Sequence, residues 1–218
     1  MKTIVCTILT VLLFAIEMSY GQTIKIQYGR DWSELKWPID GEYSDFKTSL
    51  NGNTLFLGID YFNRKYFSLN SNIGYLQKHG EKSYDKYYDD QHASTVQAET
   101  SIEQLNINTK INLKYPIKEK LVPFLSLGLS YDYLLSDSHK EDRISNVEPG
   151  IFGLIIGGGA YYNISRIQIG FNIDYCTYFS NFGDLESHPS PGMTGFLPQE
   201  DIKSRAILAG VTIGYILK

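Results

Sequence analysis

The chain has 218 residues, a formal net charge of −4 and 20% charged residues, which fits one domain and argues against a nucleic-acid partner. It has only two cysteines, Cys6 and Cys176, so a disulfide-rich fold is excluded. Tyrosine, with 17 residues, is abundant, and this residue is favoured in strands and at membrane interfaces.

Residues 1–21 have the layout of a secretory signal peptide. Lys2 precedes an apolar run over residues 3–16, and Ser19, Tyr20 and Gly21 follow that run. The run is shorter than the roughly 20 residues that a membrane-spanning helix needs. We therefore expect cleavage after Gly21 and a mature domain over 22–218, which retains Cys176 as its one cysteine.

Eight later stretches alternate apolar and polar residues with period two, which is typical of strands with two different faces. The clearest case runs from Ile167 to Phe179. The sequence predicts strands over residues 23–30, 54–62, 66–77, 102–115, 122–135, 152–163, 166–179 and 204–217. Polar residues interrupt every apolar run, so membrane insertion would use strands.

The connections between these strands alternate in length. Those over 63–65, 116–121 and 164–165 are short, and those over 31–53, 78–101, 136–151 and 180–203 are long. Short and long connections therefore fall at opposite ends, as in outer-membrane barrels, where short turns face the periplasm and long loops face outward. The pattern predicts an all-β fold, an eight-stranded antiparallel up-and-down transmembrane β-barrel with both termini periplasmic.

Alternation alone leaves open a soluble barrel with its apolar face inward around a small apolar ligand. Two features favour a polar interior. The polar face carries most of the strand glycines, which a crowded interior needs. Aromatic residues of the apolar face gather near both strand ends, as in the interfacial belts of membrane barrels.

The predicted interior collects charged and amide side chains, and an eight-stranded barrel is barely wide enough for its own side chains. We predict a buried network with at least one Lys–Asp bridge, and a narrow ion path is the alternative. The network residues are Lys25, Asp60, Asn106, Asn108, Lys110, Asn112, Lys114, Asp132, Asn172 and Asp174.

The mature chain resembles the small eight-stranded outer-membrane proteins of the OmpA/OmpX-like and PorT-like type. The resemblance rests on the strand and turn pattern over 22–218 and on a signal ending Ser-Tyr-Gly before Gln22. It implies an outer-membrane location in a Gram-negative envelope and insertion by the outer-membrane assembly machinery. It also implies contact with outer-membrane lipid and lipopolysaccharide. We expect a monomer.

Enzymatic activity is an alternative, because some eight-stranded barrels modify lipid A with Ser and His near the outer rim. His92-Ala93-Ser94 resembles the His-x-Ser pair of a deacylase, but it lies within a polar loop prediction. Ser138 and His139 are adjacent and form a weaker pair. We therefore predict that the protein is not an enzyme.

The long connections are the predicted binding regions, because loops on a rigid scaffold are where binding usually resides. Trp32 and Trp37 make 31–53 the first choice for contact with a surface ligand or another cell. Two acidic groups lack calcium-loop spacing, so no metal site and no cofactor is predicted. These groups are Asp40, Glu42 and Asp45, and Asp85, Asp89 and Asp90.

Overall fold

The computed structural model describes residues 22–36, 47–89, 92–118, 120–140, 144–145, 147–185 and 202–217. Over residues 47, 82–89, 92–98, 139–140, 144–145 and 184–185 the description covers the backbone alone. The predicted signal peptide, 1–21, lies outside the described residues. Within the described ranges, no helix is long and apolar enough to cross a bilayer.

The described residues form ten strands, and eight of them close into one antiparallel barrel. The barrel strands are β1 Thr23–Lys36, β2 Lys47–Tyr61, β3 Phe67–Asp89, β4 His92–Lys114, β5 Leu121–Lys140, β7 Gly150–Ile164, β8 Ile167–Tyr178 and β10 Lys203–Ile216. Around the barrel their order is β1-β10-β8-β7-β5-β4-β3-β2. The short strands β6 Ile144–Ser145 and β9 Asp184–Leu185 pair separately. The predicted fold class is therefore confirmed.

The first and last barrel strands close the wall. Every residue of β1 has a partner in β10, from the pair Thr23 and Ile216 to the pair Lys36 and Lys203. A closed wall satisfies backbone hydrogen bonds between strands and leaves no open edge toward lipid.

Three short turns, 62–66, 115–120 and 165–166, define what we call the short-turn end of the barrel. Each turn contains one non-glycine residue with positive φ: Phe62 at 50°, Lys118 at 49° and Ser165 at 56°. The left-handed conformation reverses the chain within a few residues, at a steric cost of about 1–2 kcal/mol for a side-chain-bearing residue. The opposite end is called the long-connection end below.

The strands extend further toward the long-connection end than the sequence predicted. The prediction of a loop over 78–101 is wrong, because β3 and β4 continue as a hairpin with only residues 90–91 between them. Likewise, the connection predicted over 31–53 shrinks to 37–46, and β5 runs to Lys140.

The reason is an inversion of the alternation partway along the strands. In β1, Ile24, Ile26 and Tyr28 face outward and are about half exposed. Further along the same strand, Leu35 faces inward at 1% exposure, while Glu34 and Lys36 lie on the outward face. Near the long-connection end, the wall thus has the pattern of a soluble barrel, with polar residues outside and apolar residues inside. A strand predicted from apolar outward residues therefore ends where this inversion begins.

Candidate functional site

Polar side chains on the inner wall form a hydrogen-bonded ladder that crosses from β1 to β5 and on to β8. It follows the strand register, in which Asn72 pairs with Asn108 across β3 and β4. The ladder begins at the ion pair of Lys25 with Asp60. Its hydrogen-bonded pairs are Asn70–Asp60 at 2.8 Å, Asn72–Asn70 at 2.6 Å, Asn72–Asn108 at 2.7 Å, Asn108–Asn106 at 2.6 Å, Asn106–Asp132, and Tyr178–Asp132 at 2.6 Å. Carboxamides suit this role because each can donate and accept.

A second group joins strands that are not neighbours in the barrel. Lys110 Nζ on β4 lies 2.7 Å from Asp174 Oδ2 on β8, with side-chain exposures of 8% and 4%. Asp174 also accepts hydrogen bonds from Asn172 Nδ2 at 2.8 Å and from Ser126 Oγ at 3.3 Å. Since β5 and β7 separate β4 from β8 in the wall, this ion pair spans the interior.

A third ion pair lies closer to the long-connection end, in segments that the sequence assigned to loops. Lys78 Nζ is 3.4 Å from Asp31 Oδ2, and Asp31 also accepts a hydrogen bond from the Ser33 hydroxyl. Sequence analysis missed this pair. The inward position of Asp31 could have been predicted, because Asp31 and Ser33 continue the alternation that places Gln27 and Gly29 on the inner face.

The buried charges nearly balance. Among the described residues, three lysines and four aspartates are buried, and they are Lys25, Lys78, Lys110, Asp31, Asp60, Asp132 and Asp174. Each of the three lysines has an aspartate partner. The remaining carboxylate, that of Asp132, accepts hydrogen bonds from an amide and a phenol. Buried charges are tolerated only with such partners.

Inward aromatic rings fill space that glycines leave open. The rings of Phe124 and Tyr161 stack with centroids 4.4 Å apart, and Lys25 Nζ lies 3.9 Å from the Tyr161 ring centroid. A Cβ at Gly170 would collide with the Tyr161 ring, and one at Gly74 would collide with Phe56. These glycines are therefore required by close approach of a ring.

The packed interior leaves little free volume. A cavity of about 10 Å³ lies among Lys25, Asn72, Lys110, Phe124 and Tyr161 in the middle of the barrel. This volume is close to the minimum that holds one water molecule.

An apolar cluster lies on the long-connection side of the polar network. Its buried members are Leu35, Leu50, Ile102, Ile151, Ile155, Cys176, Tyr178, Phe182, Ile202 and Ala206, with Leu134 and Val147 packed against them. Cys176 is a free thiol at 1% exposure, and its Sγ lies 3.5 Å from Ser130 Oγ. Buried polar residues lie at the same level of the wall, since Lys78 is paired with Ile102 and Ser204 with Leu35.

The short-turn end is more open. A cleft of about 360 Å³ is lined by Arg64, Lys65 and Lys114, with Asp60 and Tyr161 at its inner side. Lys114 is only partly buried and donates a hydrogen bond to Asn63 Oδ1. Tyr161 lines both this cleft and the small cavity in the interior.

The structure places the ten predicted network residues as follows. Nine are buried on the inner face, and Lys114 lies at the mouth of the cleft. Asn112 is buried, and its Oδ1 accepts no hydrogen bond from the described residues. The amide nitrogen of Asn172 bonds Asp174. The contacts described above therefore include eight of the ten predicted residues, all except Asn112 and Lys114.

The predicted contact surface is placed differently from expectation. Trp32 lies within β1 on the outer wall, 46% exposed, and not in a loop. The loop prediction is wrong for this residue because β1 continues to Lys36. Trp37, Asp40, Glu42 and Asp45 lie outside the described residues.

The residues considered for catalysis or for metal binding lie on strands wherever the structure describes them. His92 and Ser94 lie at the start of β4, and Ser138 and His139 lie near the end of β5. Asp85 and Asp89 lie at the end of β3, and Asp90 is outside the described residues. Among the described residues, no three His, Cys, Asp or Glu side chains are grouped so that they could hold a metal ion.

The outer wall carries an apolar band with a clear boundary toward the long-connection end. The last outward apolar residues before polar positions include Trp32, Leu55, Tyr75, Leu105 and Ile207. Exposed aromatic residues flank the band, and they are Phe67, Tyr115, Tyr162 and Tyr215 at one side and Tyr28, Tyr75, Tyr133, Phe152, Tyr175 and Phe179 at the other. A lipid-facing band between aromatic girdles is typical of transmembrane barrels.

Solved structures of outer-membrane proteins are among those of similar shape. OprG from Pseudomonas aeruginosa is 12% identical with a TM-score of 0.57, and the match covers 91% of this chain and 97% of that chain. Ail of Yersinia pestis is 13% identical with a TM-score of 0.41, covering 91% and 99%. The protease OmpT from Escherichia coli is 10% identical with a TM-score of 0.46, covering 92% and 98%. At these identities the likeness concerns the fold alone.

The sequence itself matches a family over most of its length. No curated protein matches the chain by sequence. Residues 11–213, however, match the family described as outer membrane protein beta-barrel domain. The chain therefore belongs to this family of outer-membrane β-barrel proteins.

Proposed function

We propose that the protein is a non-conducting outer-membrane barrel with a structural or surface-binding role, and that it is neither a pore nor an enzyme. The observation that carries this proposal is the filled interior. An ion pair spans it, its cavity of about 10 Å³ is close to the volume that holds one water molecule, and an apolar cluster lies toward one end. A porin-like role would need a continuous aqueous path, and this packing argues against one.

Surface binding is supported by the height of the wall at the long-connection end. In β3, Gln77, His79 and Glu81 follow Tyr75 on the outward face, and the strand continues to Asp89. At about 3.3 Å per residue, this extension measures roughly 45 Å along the strand. The β3–β4 hairpin thus projects well beyond the apolar band, which suits contact with a ligand or another cell.

Orientation is part of the proposal. In outer-membrane barrels short turns face the periplasm and the longer connections face outward. We place the short-turn end and both termini in the periplasm accordingly, and the projecting hairpin outside the cell. Closure of β1 on β10 favours a monomer, and insertion would use the outer-membrane assembly machinery.

A lipid A deacylase role is less favoured, because the candidate residue Ser94 lies far from the apolar band along its strand. Ser94 lies eleven residues from Leu105, the last apolar outward residue of β4. That separation is roughly 36 Å along the strand at about 3.3 Å per residue, far from the acyl chains of a membrane lipid. The Ser94→Ala variant should leave the mass of lipid A unchanged.

Cysteine labelling of intact cells tests the proposed orientation. Cys176 is buried, so the native mature protein supplies no background. Glu81→Cys near the hairpin and Lys65→Cys in a short turn form a matched pair, since both side chains are exposed. A membrane-impermeant maleimide should label Glu81→Cys on intact cells and Lys65→Cys only after the outer membrane is permeabilised. The reverse pattern would refute the proposal.

A further inference from the structure

Positive charge is concentrated at the short-turn end of the barrel, although the whole chain has a net charge of −4. The cations of the three turns and of the adjoining end of β4 are Arg64, Lys65, Lys114, Lys118, Lys120 and Arg166, and the acidic residue of these segments is Glu119. Three of these cations line the cleft described above, and we call Arg64, Lys65 and Lys114 the cleft cations. A cleft lined by one sign of charge raises the local concentration of ligands of the opposite sign.

Backbone hydrogen bonds hold the cleft cations in place. The Arg64 amide donates to the Phe67 carbonyl at 2.8 Å, within the first short turn. The Lys114 amide donates to the Tyr66 carbonyl at 2.8 Å, which ties the end of β4 to the same turn. The Lys114 ammonium group also donates to Asn63 Oδ1. An ammonium group has three donors, so Lys114 can bond a ligand in addition to Asn63.

The carboxylate at the inner side of the cleft has its own cation. Asp60 forms an ion pair with Lys25, and both residues are buried. Lys25 Nζ also lies 3.9 Å from the centroid of the Tyr161 ring, which lines the same side of the cleft. Because Lys25 offsets the charge of Asp60, the cleft cations leave an excess of positive charge. The cleft therefore favours an anionic ligand.

Amide groups and apolar side chains complete the cleft. Gln168 lines it and is only 6% exposed. Its Nε2 donates to Asn163 Oδ1 at 2.9 Å, whereas its Oε1 accepts no hydrogen bond from the described residues. A buried acceptor without a donor is destabilising, and a hydroxyl group of a ligand would supply the donor. Pro116 and Val122 add apolar surface for a small carbon skeleton.

We infer that the cleft binds a small soluble phosphate ester of a polyol or sugar. Its phosphate group would contact the cleft cations, and its hydroxyl groups would contact the amides of Asn163 and Gln168. Arginine suits phosphate because its planar guanidinium group forms two parallel hydrogen bonds, and lysine adds a point charge. The volume of about 360 Å³ lies within the range of small-molecule pockets. This inference goes beyond the proposed function, and the proposed orientation decides only which compartment supplies the ligand.

Isothermal titration calorimetry of the purified protein in a nonionic detergent tests the inference, with glycerol 3-phosphate as the probe. Saturable binding to one site is expected. Loss of one charge-assisted hydrogen bond weakens binding about tenfold, so Arg64→Gln/Lys65→Gln/Lys114→Gln should bind at least roughly a hundredfold more weakly. Inorganic phosphate lacks the polyol hydroxyl groups and should bind the native protein about threefold more weakly. Glycerol alone should give no measurable heat of binding.

A matched variant controls for total charge at the same end. Lys118→Gln/Lys120→Gln/Arg166→Gln removes three exposed cations that do not line the cleft, and it should change the affinity less than about twofold because salt screens them. Replacement of the partly buried Lys114 can disturb folding, so gel mobility without boiling is measured for each variant. The variant Arg64→Gln/Lys65→Gln changes exposed residues only and should still weaken binding at least about tenfold.

Four results would overturn the inference. They are no saturable binding of glycerol 3-phosphate at millimolar concentration, equal losses in the cleft and control variants, equal binding of inorganic phosphate, and tighter binding of phosphatidylglycerol micelles. The last result would indicate contact with lipid head groups and not with a soluble ligand. The labelling of Glu81→Cys and Lys65→Cys concerns orientation alone, so the binding site and the proposed orientation can fail independently.

Discussion

Removal of Lys110 offers the sharpest test of how the interior is stabilised. At 2.7 Å from Asp174, its ammonium group gains about 6 kcal/mol of Coulomb attraction at an effective dielectric constant of about 20. Desolvation of the two ions offsets several kcal/mol of this gain. Lys110→Met leaves the Asp174 carboxylate buried with only neutral donors, so the free energy of unfolding should fall by about 3–5 kcal/mol.

A second variant separates loss of the ion pair from loss of packing. The double variant Lys110→Met/Asp174→Asn removes both charges and keeps a polar group beside Asn172 and Ser126. It should recover at least about 2 kcal/mol relative to the single variant, since no uncompensated charge remains. The exposed control Lys65→Met should change stability by less than about 0.5 kcal/mol.

Reversible urea unfolding in lipid vesicles, followed by tryptophan fluorescence and by gel mobility without boiling, measures these differences. Two results would refute the reasoning. One is a Lys110→Met variant as stable as the native protein. The other is a double variant as unstable as the single one, which would mean that packing and not charge is responsible.

Three further predictions concern the packing. Gly74→Ala should destabilise the barrel by about 1–3 kcal/mol, because its Cβ collides with the Phe56 ring, and Phe56→Leu should restore part of the loss in an unfolding experiment. Cys176, at 1% exposure, should resist maleimide in the native protein and react after denaturation, so rapid labelling of the folded barrel would contradict its placement. Ile102→Ala opens a cavity in the apolar cluster and should reduce the free energy of unfolding by about 2–5 kcal/mol. The lipid-facing control Ile107→Ala should reduce it by about 1 kcal/mol. Equal losses in the two variants would argue against an apolar core around Ile102.

The membrane-embedded half of the fold could be predicted from the sequence, because lipid imposes a simple rule on each strand. Outward positions must be apolar, and a narrow interior needs small and polar residues. In β8, Ile169, Phe171 and Ile173 obey the rule without exception, so each end of the strand was predicted to within one residue. The polarity of the inner face followed from the same alternation.

The half of the barrel near the long-connection end could not be predicted in this way. Outward residues must be apolar in lipid but polar in water, so the two surroundings require opposite alternation. Past Leu105 in β4, Glu103 faces outward and Ile102 is buried inside, so the alternation loses its apolar outward phase. The strand nevertheless continues, since a closed wall still pairs its backbone. A test for inverted alternation beyond a lipid-facing strand would have found these extensions and the inward positions of Asp31 and Lys78.

Pairing across the barrel could not be predicted either. Alternation places Lys110 and Asp174 on the inner face, but it does not say which lysine meets which aspartate. The choice depends on barrel diameter and strand stagger, which set which side chains face each other across the interior. Neighbouring partners such as Asn72 and Asn108 follow from register, and this register is fixed only when the strands are assembled.

The measurement that tests the account most directly is ion conductance of the purified protein in a planar lipid bilayer. The account predicts insertion without discrete conductance steps, because the ion pairs of Lys25 and Lys110 and the apolar cluster around Ile102 close the interior. Stable single-channel steps that vanish on removal of the protein, and that grow in Lys110→Ala, would contradict it and identify the interior as an ion path.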